Sequence, residues 1–115
     1  MSFVISRHHD FDVAIKRLAK RHRSIADDYA VFLNSLQANP FQGVELSPGI
    51  RKIRMAISSK GRGKAGSARV ITANAFVAEN EGRIALLTIY DKADASSVNM
   101  NVIKQMAREL GFEVK

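Results

Sequence analysis

The chain has 115 residues, a length that suits one domain with a modest hydrophobic core. It contains no cysteine, which excludes disulfides and thiolate metal sites, and no apolar run approaches the roughly 18 residues of a membrane-spanning helix. Eighteen Lys and Arg residues against eleven Asp and Glu residues give a net charge of +7, which favours a polyanionic partner. We therefore expect one basic domain over residues 1–115, located in the cytoplasm and without a signal peptide.

The N-terminal part predicts a strand followed by a helix. Residues Phe3–Ser6 are rich in strand-forming side chains. Over Phe11–His22 the apolar residues recur at spacings of three and four, which is typical of an amphipathic helix. Asp10 is the expected N-cap of this helix.

A second helix is predicted directly afterwards. Ser24 and Asp27 form a capping-box-like start, and Asn39 precedes a proline, which disfavours helix in the residue before it. The short gap between the two helices indicates an antiparallel helical hairpin.

Beyond Pro48 and Gly49 the hydrophobic period changes from 3.6 to 2. Ile53, Met55 and Ile57 alternate with polar or small residues, which indicates a half-buried strand. The glycine-rich segment Lys60–Ser67 that follows is predicted to be a turn.

Two further strands and a helix complete the predicted order. The strands are Arg69–Ala78 and Arg83–Tyr90, joined by a turn over Glu79–Gly82. Asn99 is the expected N-cap of a helix that ends at Leu110. The order β-α-α-β-β-β-α predicts an α+β domain with a twisted, mainly antiparallel sheet, an N-terminal helical hairpin and a C-terminal helix.

Conventional catalytic groups are scarce in the sequence. There is no serine-hydrolase elbow and no cluster of metal ligands, so we expect no cofactor and no metal. His8 and His9 precede or start a predicted helix and His22 ends one, and a structural or merely surface role is expected for all three.

Basic residues are concentrated in two segments, and no acidic residue occurs between Glu45 and Glu79. That segment holds Arg51, Lys52, Arg54, Lys60, Arg62, Lys64 and Arg69. An earlier cluster holds Lys16, Arg17, Lys20, Arg21 and Arg23. Arginine and lysine bind phosphate groups, and the glycines at positions 61 and 63 let a backbone approach a ligand closely. This pattern favours nucleic-acid binding over the alternative, a solvated hairpin.

Tyr90 lies at the end of the last predicted strand. The two-residue period places Thr88, Tyr90 and Lys92 on one face of the sheet. If strand pairing brings Tyr90 beside Arg54 or Arg69, an aromatic ring and several cations share one site. The ring could then stack on a base and the hydroxyl could take part in proton transfer. The alternative is an ordinary strand-end tyrosine with its hydroxyl in water.

These segments resemble the RelE/ParE toxin superfamily, and among its members the HigB-like and RelE-like mRNA interferases of type II toxin–antitoxin systems. The resemblance rests on Lys52–Arg54, Gly63–Val70 and Leu87–Asp94, together with the order of the helices, and extends from about Phe3 to Leu110. It implies a fold similar to microbial ribonucleases and a ribosome-dependent mRNA endonuclease that inhibits translation. It also implies attack of a ribose 2′-OH on the adjacent phosphodiester.

Carried over by motif position, the candidate catalytic residues are Arg54, Lys64, Arg69, Tyr90 and Lys92. The residues expected to bind RNA or the ribosome are Lys52, Lys60, Arg62, Lys16, Arg17, Lys20 and Arg21. The implied partners are a cognate antitoxin, mRNA on the ribosome, and operator DNA only through the antitoxin complex; no membrane partner is expected. Two alternatives stay open: a ParE-like toxin of the same fold that inhibits gyrase, and a non-catalytic RNA-binding or ribosome-binding module.

Overall fold

The structure is a computed structural model that describes residues 2–60, 66–78, 81–95 and 97–115. Its helices and strands in chain order are β1 (Ser2–Arg7), α1 (His9–Arg21), α2 (Ile25–Ala38), β2 (Val44–Ser47), β3 (Ile50–Ala56), β4 (Ser67–Ala78), β5 (Glu81–Asp91) and α3 (Met100–Glu109). A single 3-10 turn, Ser58–Lys60, follows β3.

The five strands form one sheet in the order β1-β5-β4-β3-β2. β1 runs parallel to β5, and the other three neighbouring pairs are antiparallel. The α+β class and the mainly antiparallel sheet are therefore as predicted. The predicted element order was incomplete, because it lacked the short edge strand β2.

Strand β2, which the prediction lacked, is held in place by its backbone geometry more than by apolar side chains. Gly43, just before β2, has a φ of +76°, and a Cβ placed on it would lie 2.0 Å from the Lys52 carbonyl oxygen. The Arg51 guanidinium donates from Nε to the Gln42 carbonyl (2.9 Å) and from NH2 to the Phe41 carbonyl (2.9 Å). These contacts fasten the loop after α2 to β3 and bring Val44 opposite Lys52.

The sheet separates two apolar layers, which define its two faces. On the α1/α2 face, helices α1 and α2 pack on side chains that include Ile53, Val70 and Ile89. On the α3 face, helix α3 packs on a second cluster that includes Ile71 and Leu87. Because successive side chains of a strand point to opposite faces of the sheet, the position of a polar residue in its strand decides which of the two faces it lies on.

Two of the three helix N-termini differ from the sequence prediction. The N-cap of α1 is His8, whose Nδ1 accepts a hydrogen bond from the Asp10 amide (3.0 Å), so Asp10 lies inside the helix. Ser24 precedes α2 but makes no side-chain cap, because its hydroxyl donates to Asp28 (2.6 Å). Asn99 caps α3 as predicted, by accepting from two amides of the first turn.

Among the described residues no helix is both long enough and apolar enough to cross a membrane.

Candidate nucleic-acid interface

Three of the predicted site residues form a row across the sheet, here called the Arg54–Arg69–Tyr90 row. Arg54 of β3 lies opposite Arg69 of β4, which in turn lies opposite Tyr90 of β5. Arg69 is two residues from Ile71, and both Ile71 and Tyr90 pack in the cluster on the α3 face. The row therefore projects from that face, at the end of the sheet where β4 begins and β5 finishes.

A bulge in β5 gives Tyr90 this orientation. The register between β4 and β5 shifts between Ile71 and Thr72, because Ile71 lies opposite Thr88 whereas Thr72 lies opposite Leu86. The extra residue, Leu87, reverses the alternation of side chains from there to the end of the strand. Strict alternation from Leu87 would have turned Tyr90 towards the α1/α2 face, away from Arg69.

The pairing type brings the two arginines close together. The Ile57 amide donates to the Gly66 carbonyl (3.3 Å), and the Asn74 amide donates to the Gly49 carbonyl (2.8 Å). Hydrogen-bonded and non-hydrogen-bonded pairs alternate along an antiparallel ladder. Arg54 lies an odd number of residues from both of these hydrogen-bonded positions, so Arg54 and Arg69 form a non-hydrogen-bonded pair. This type of pair has the shorter separation between Cα atoms, about 4.5 Å. Like charges at directly opposite positions destabilise a sheet unless an anion is bound between or beside them.

Arg69 is oriented by its own strand. Its NH1 donates to the Ser67 hydroxyl (2.5 Å) and to the Ala68 carbonyl (3.3 Å), and the side chain is half-buried. Arg54, in contrast, is exposed. The row thus offers one oriented guanidinium and one accessible guanidinium, which together suit a phosphate group.

Tyr90 is buried at its polar end. Its hydroxyl is shielded from solvent and has no hydrogen-bond partner among the described residues. Burial raises the pKa of the phenol, and the nearby positive charge of Arg69 opposes part of that rise. Near neutral pH the hydroxyl is therefore protonated and suited to donate a hydrogen bond, and it is poorly suited to act as a base.

Two predicted lysines lie beside the row. Lys52 is on the same strand face as Arg54, opposite Ile71, and is half-buried. Lys92 follows β5 directly, is exposed, and donates its backbone amide to the Ser67 carbonyl (3.1 Å). The backbone positions of both lysines are therefore adjacent to the row.

Asp91 organises the opposite face of the same sheet end. Its carboxylate is 1% exposed and contacts the Lys60 ammonium (3.0 Å), the His22 Nε2 (3.1 Å) and the Ala93 amide (2.9 Å). Although burial opposes ionisation, the hydrogen bonds from Ala93, Lys60 and His22 hold the pKa of this carboxyl below its ordinary value. Arg21 lies at the rim of the cluster, paired with Asp94 (2.7 Å).

The predicted set of RNA-binding residues therefore divides between the two layers. Lys60 and Arg21 are engaged with carboxylates on the α1/α2 face, where the charge available to RNA is reduced. Lys16, Arg17 and Lys20 are exposed on α1, also on that side of the sheet. Arg62 and Lys64 lie outside the described residues.

The structural or surface role predicted for the histidines agrees with the structure: His9 is exposed, and the other two make structural contacts. His8 caps α1 and pairs through Nε2 with Glu109 (2.7 Å), and His22 binds Asp91. Sequence reasoning missed Asp91 as an organising residue, because its partners are 31 and 69 positions away. The one available signal was an acidic residue directly after an apolar strand.

No group of three or more His, Cys, Asp or Glu side chains in the described part of the chain could hold a metal ion. No protein-family model matches the sequence.

Proposed function

We propose that this chain is a ribosome-dependent mRNA endonuclease that inhibits translation in the cytoplasm, as the toxin of a type II toxin–antitoxin system. The observation that supports it best is the Arg54–Arg69–Tyr90 row. Two arginines at opposite positions beside a buried tyrosine hydroxyl are a cationic arrangement whose like charges a bound phosphate would offset.

In the proposed reaction a ribose 2′-oxygen attacks the adjacent phosphorus and the bond to the 5′-oxygen breaks. The products are a 2′,3′-cyclic phosphate and a free 5′-hydroxyl. Negative charge grows on the phosphoryl oxygens in the transition state, where oriented cations stabilise it most. Arg69 supplies the oriented guanidinium and Arg54 the accessible one.

Tyr90 acts in its neutral form. Its raised pKa favours the protonated phenol, which donates a hydrogen bond to the phosphoryl group or to the departing 5′-oxygen once RNA binding has turned the hydroxyl out of its buried position. A base can also stack on the face of its aromatic ring. Lys64 and Lys92 are the candidates for contacting phosphate and for moving the 2′-OH proton.

A lysine with an ordinary pKa near 10 is almost entirely protonated at neutral pH, so little of it is available as a base. The proposal therefore assigns part of the rate to the ribosome, which would hold the mRNA with the 2′-oxygen in line for attack. Free RNA is accordingly expected to be a poor substrate.

A gyrase inhibitor of ParE type is the second candidate of the same resemblance. It needs no oriented cation pair and no buried tyrosine hydroxyl, so the row favours RNA cleavage. A non-catalytic binding module would use the cations but would not need the hydroxyl of Tyr90.

Arg69→Ala tests the proposal in a purified translation reaction. Loss of a group that stabilises transition-state charge should reduce mRNA cleavage on the order of a hundredfold. Arg108→Ala is the matched control, because Arg108 is exposed at the C-terminal end of α3, and its guanidinium donates to the Val114 carbonyl (3.3 Å). Full cleavage by a folded Arg69→Ala protein would contradict the assignment, and inhibition of purified gyrase instead of translation would favour the second candidate.

A further inference from the structure

The side chain of His8 links the two helical layers at the end of β1. His8 lies between β1 and α1, and its backbone amide donates to the Leu86 carbonyl of β5 (2.9 Å). From this position the imidazole contacts α1 through one ring nitrogen and α3 through the other. The side chain is 12% exposed, so the ring nitrogens depend on these two contacts for their hydrogen bonds.

The contacts of the ring fix which nitrogen carries the proton. The Asp10 backbone amide lies 3.0 Å from Nδ1 of His8, and because a backbone N–H can only donate, Nδ1 must offer a lone pair. The proton of the neutral ring is therefore on Nε2, which donates to Oε1 of Glu109 (2.7 Å). In this tautomer Nδ1 caps α1 while Nε2 holds the end of α3.

Glu109 lies where a helix does not favour a negative charge. It is the last residue of α3, and the unpaired carbonyls at the C-terminal end of a helix carry a partial negative charge. The position in the helix thus gives no reason for a carboxylate, whereas the Nε2–H of His8 does. The pairing of His8 with Glu109 is therefore the contact that accounts for this residue.

The ring cannot accept a second proton without losing the cap of α1. A protonated imidazole carries N–H on both nitrogens, so Nδ1 would direct a hydrogen at the Asp10 amide, which is itself a donor. The Asp10 carboxylate is at hand as an acceptor, because its Oδ2 lies 3.9 Å from Nδ1. The bond to Glu109, in contrast, becomes charge-assisted. Protonation therefore acts in opposite directions on α1 and α3.

The charged groups that face the ring are carboxylates from two helices. In the described part of the chain, Asp10 of α1 and Glu109 of α3 come within 4 Å of a ring nitrogen. β5 presents the Leu86 carbonyl to the His8 amide, and the guanidinium of the neighbouring Arg7 is paired with Asp12 (2.8 Å). A protonated ring thus has a carboxylate at each nitrogen and need not leave its place between the helices.

We propose that His8 is a proton-operated switch of the first turn of α1. With a neutral ring, Nδ1 caps the helix. With a protonated ring, Nδ1–H pairs with the Asp10 carboxylate, the Asp10 amide loses its acceptor and the first turn opens, while Glu109 keeps α3 in place. This inference rests on the contacts of His8 and is independent of the proposed function.

Nitrogen-15 NMR of the imidazole rings tests the assigned tautomer. At about pH 8, His8 should carry its proton on Nε2 alone. The exposed His9, one residue further on, is the internal control and should show a mixture of both tautomers. A His8 ring with its proton on Nδ1, or with the same mixture as His9, would overturn the proposal.

Hydrogen exchange of the Asp10 amide tests the switch itself. Histidine ordinarily changes its charge between about pH 8 and pH 5. Over this interval the protection of the Asp10 amide, relative to an unstructured peptide at the same pH, should fall roughly fivefold, the scale of a lost N-cap hydrogen bond. The fall should follow protonation of the His8 ring.

His8→Asn is the matched variant for this measurement. An asparagine oxygen also caps helices and does not titrate, so the Asp10 amide should stay protected throughout the interval. His9→Asn should behave like the wild-type protein. An equal fall in His8→Asn, or unchanged protection while the His8 ring is protonated, would contradict the switch, as would a ring that stays neutral until the protein unfolds.

The last turn of α3 shows whether the ring keeps its place. Because the bond to Glu109 persists on protonation, amides of this turn should be as protected at about pH 5 as at about pH 8. Loss of protection there together with Asp10 would show that the ring leaves both helices, and it would contradict the proposed division between α1 and α3.

Discussion

At the scale of single residues, the buried hydroxyl of Tyr90 is the feature least explained by folding. The hydroxyl has no hydrogen-bond partner among the residues that the structure describes, and a buried donor without a partner lowers stability. Tyr90→Phe is therefore expected to leave the free energy of unfolding unchanged or to raise it by about 1 kcal/mol. The same change should reduce mRNA cleavage on the order of a hundredfold, because a donor to the reacting phosphate is lost. Urea unfolding and the cleavage assay measure the two effects.

Tyr29→Phe is the control for this substitution. The Tyr29 hydroxyl interacts with Arg7 at the N-terminal edge of the sheet, remote from the row. Its loss should leave cleavage unchanged. Undiminished cleavage by Tyr90→Phe would restrict Tyr90 to stacking or to core packing.

Asp91 predicts a specific dependence of stability on pH. Its folded-state pKa is lowered from an ordinary value of 3.8, so the stabilisation is fully present above that value and is lost as the pH falls through the folded-state pKa. At neutral pH, Asp91→Asn should lower the free energy of unfolding by about 3 kcal/mol, because Lys60 loses its buried partner.

The difference in the free energy of unfolding between the wild-type protein and Asp91→Asn should therefore become smaller as the pH is lowered below about 4. Urea unfolding at a series of pH values measures it. A difference that stays constant down to pH 2 would show that the Asp91 carboxylate does not contribute through its charge. Asp94→Asn is the control, since Asp94 is exposed and pairs with the exposed Arg21.

At the scale of elements, β2 depends on Gly43. Alanine at position 43 would combine a positive φ with a clash against the Lys52 carbonyl, whereas Gly111 has a similar φ of +84° and nothing within 4 Å of its Cβ position. Gly111→Ala should cost about 1 kcal/mol from conformation alone, and Gly43→Ala clearly more, because β2 must move. Thermal unfolding of both variants measures the two losses of stability. Equal losses would contradict the clash with the Lys52 carbonyl.

The elements with long hydrophobic patterns could be predicted from the sequence. Strands β3 to β5 and all three helices were predicted near their observed positions, because their patterns repeat over two or more turns or pleats. β2 could not be predicted, since a strand of four residues carries too few alternations and is held by Arg51 and Gly43. The His8 cap was missed because histidine is not a common N-cap residue.

The candidate site could likewise be predicted from the sequence only in part. Arg54, Arg69 and Tyr90 could be singled out from charge and strand position, but their side-by-side register needed the bulge at Leu87, which sequence alone does not indicate. The contacts of Asp91 with Lys60 and His22 join three distant segments, so no local pattern reveals them.

At the scale of the whole molecule, one sheet separates two functions of the charged residues. On the α3 face Arg54 and Arg69 form the proposed site, while on the α1/α2 face Lys60, His22 and Arg21 surround carboxylates. The cations of α1 are exposed on the α1/α2 side, and under the proposed function they would make a second contact with ribosomal RNA.

The central claim is that the row cleaves mRNA only when the ribosome holds it. The most direct measurement is to map the ends of an mRNA after incubation with the protein, with and without ribosomes, in a purified translation reaction. The account predicts 2′,3′-cyclic phosphate and 5′-hydroxyl ends at positions occupied by translating ribosomes, and little cleavage of free RNA. Intact mRNA on translating ribosomes, or equally efficient cleavage of free RNA, would contradict it.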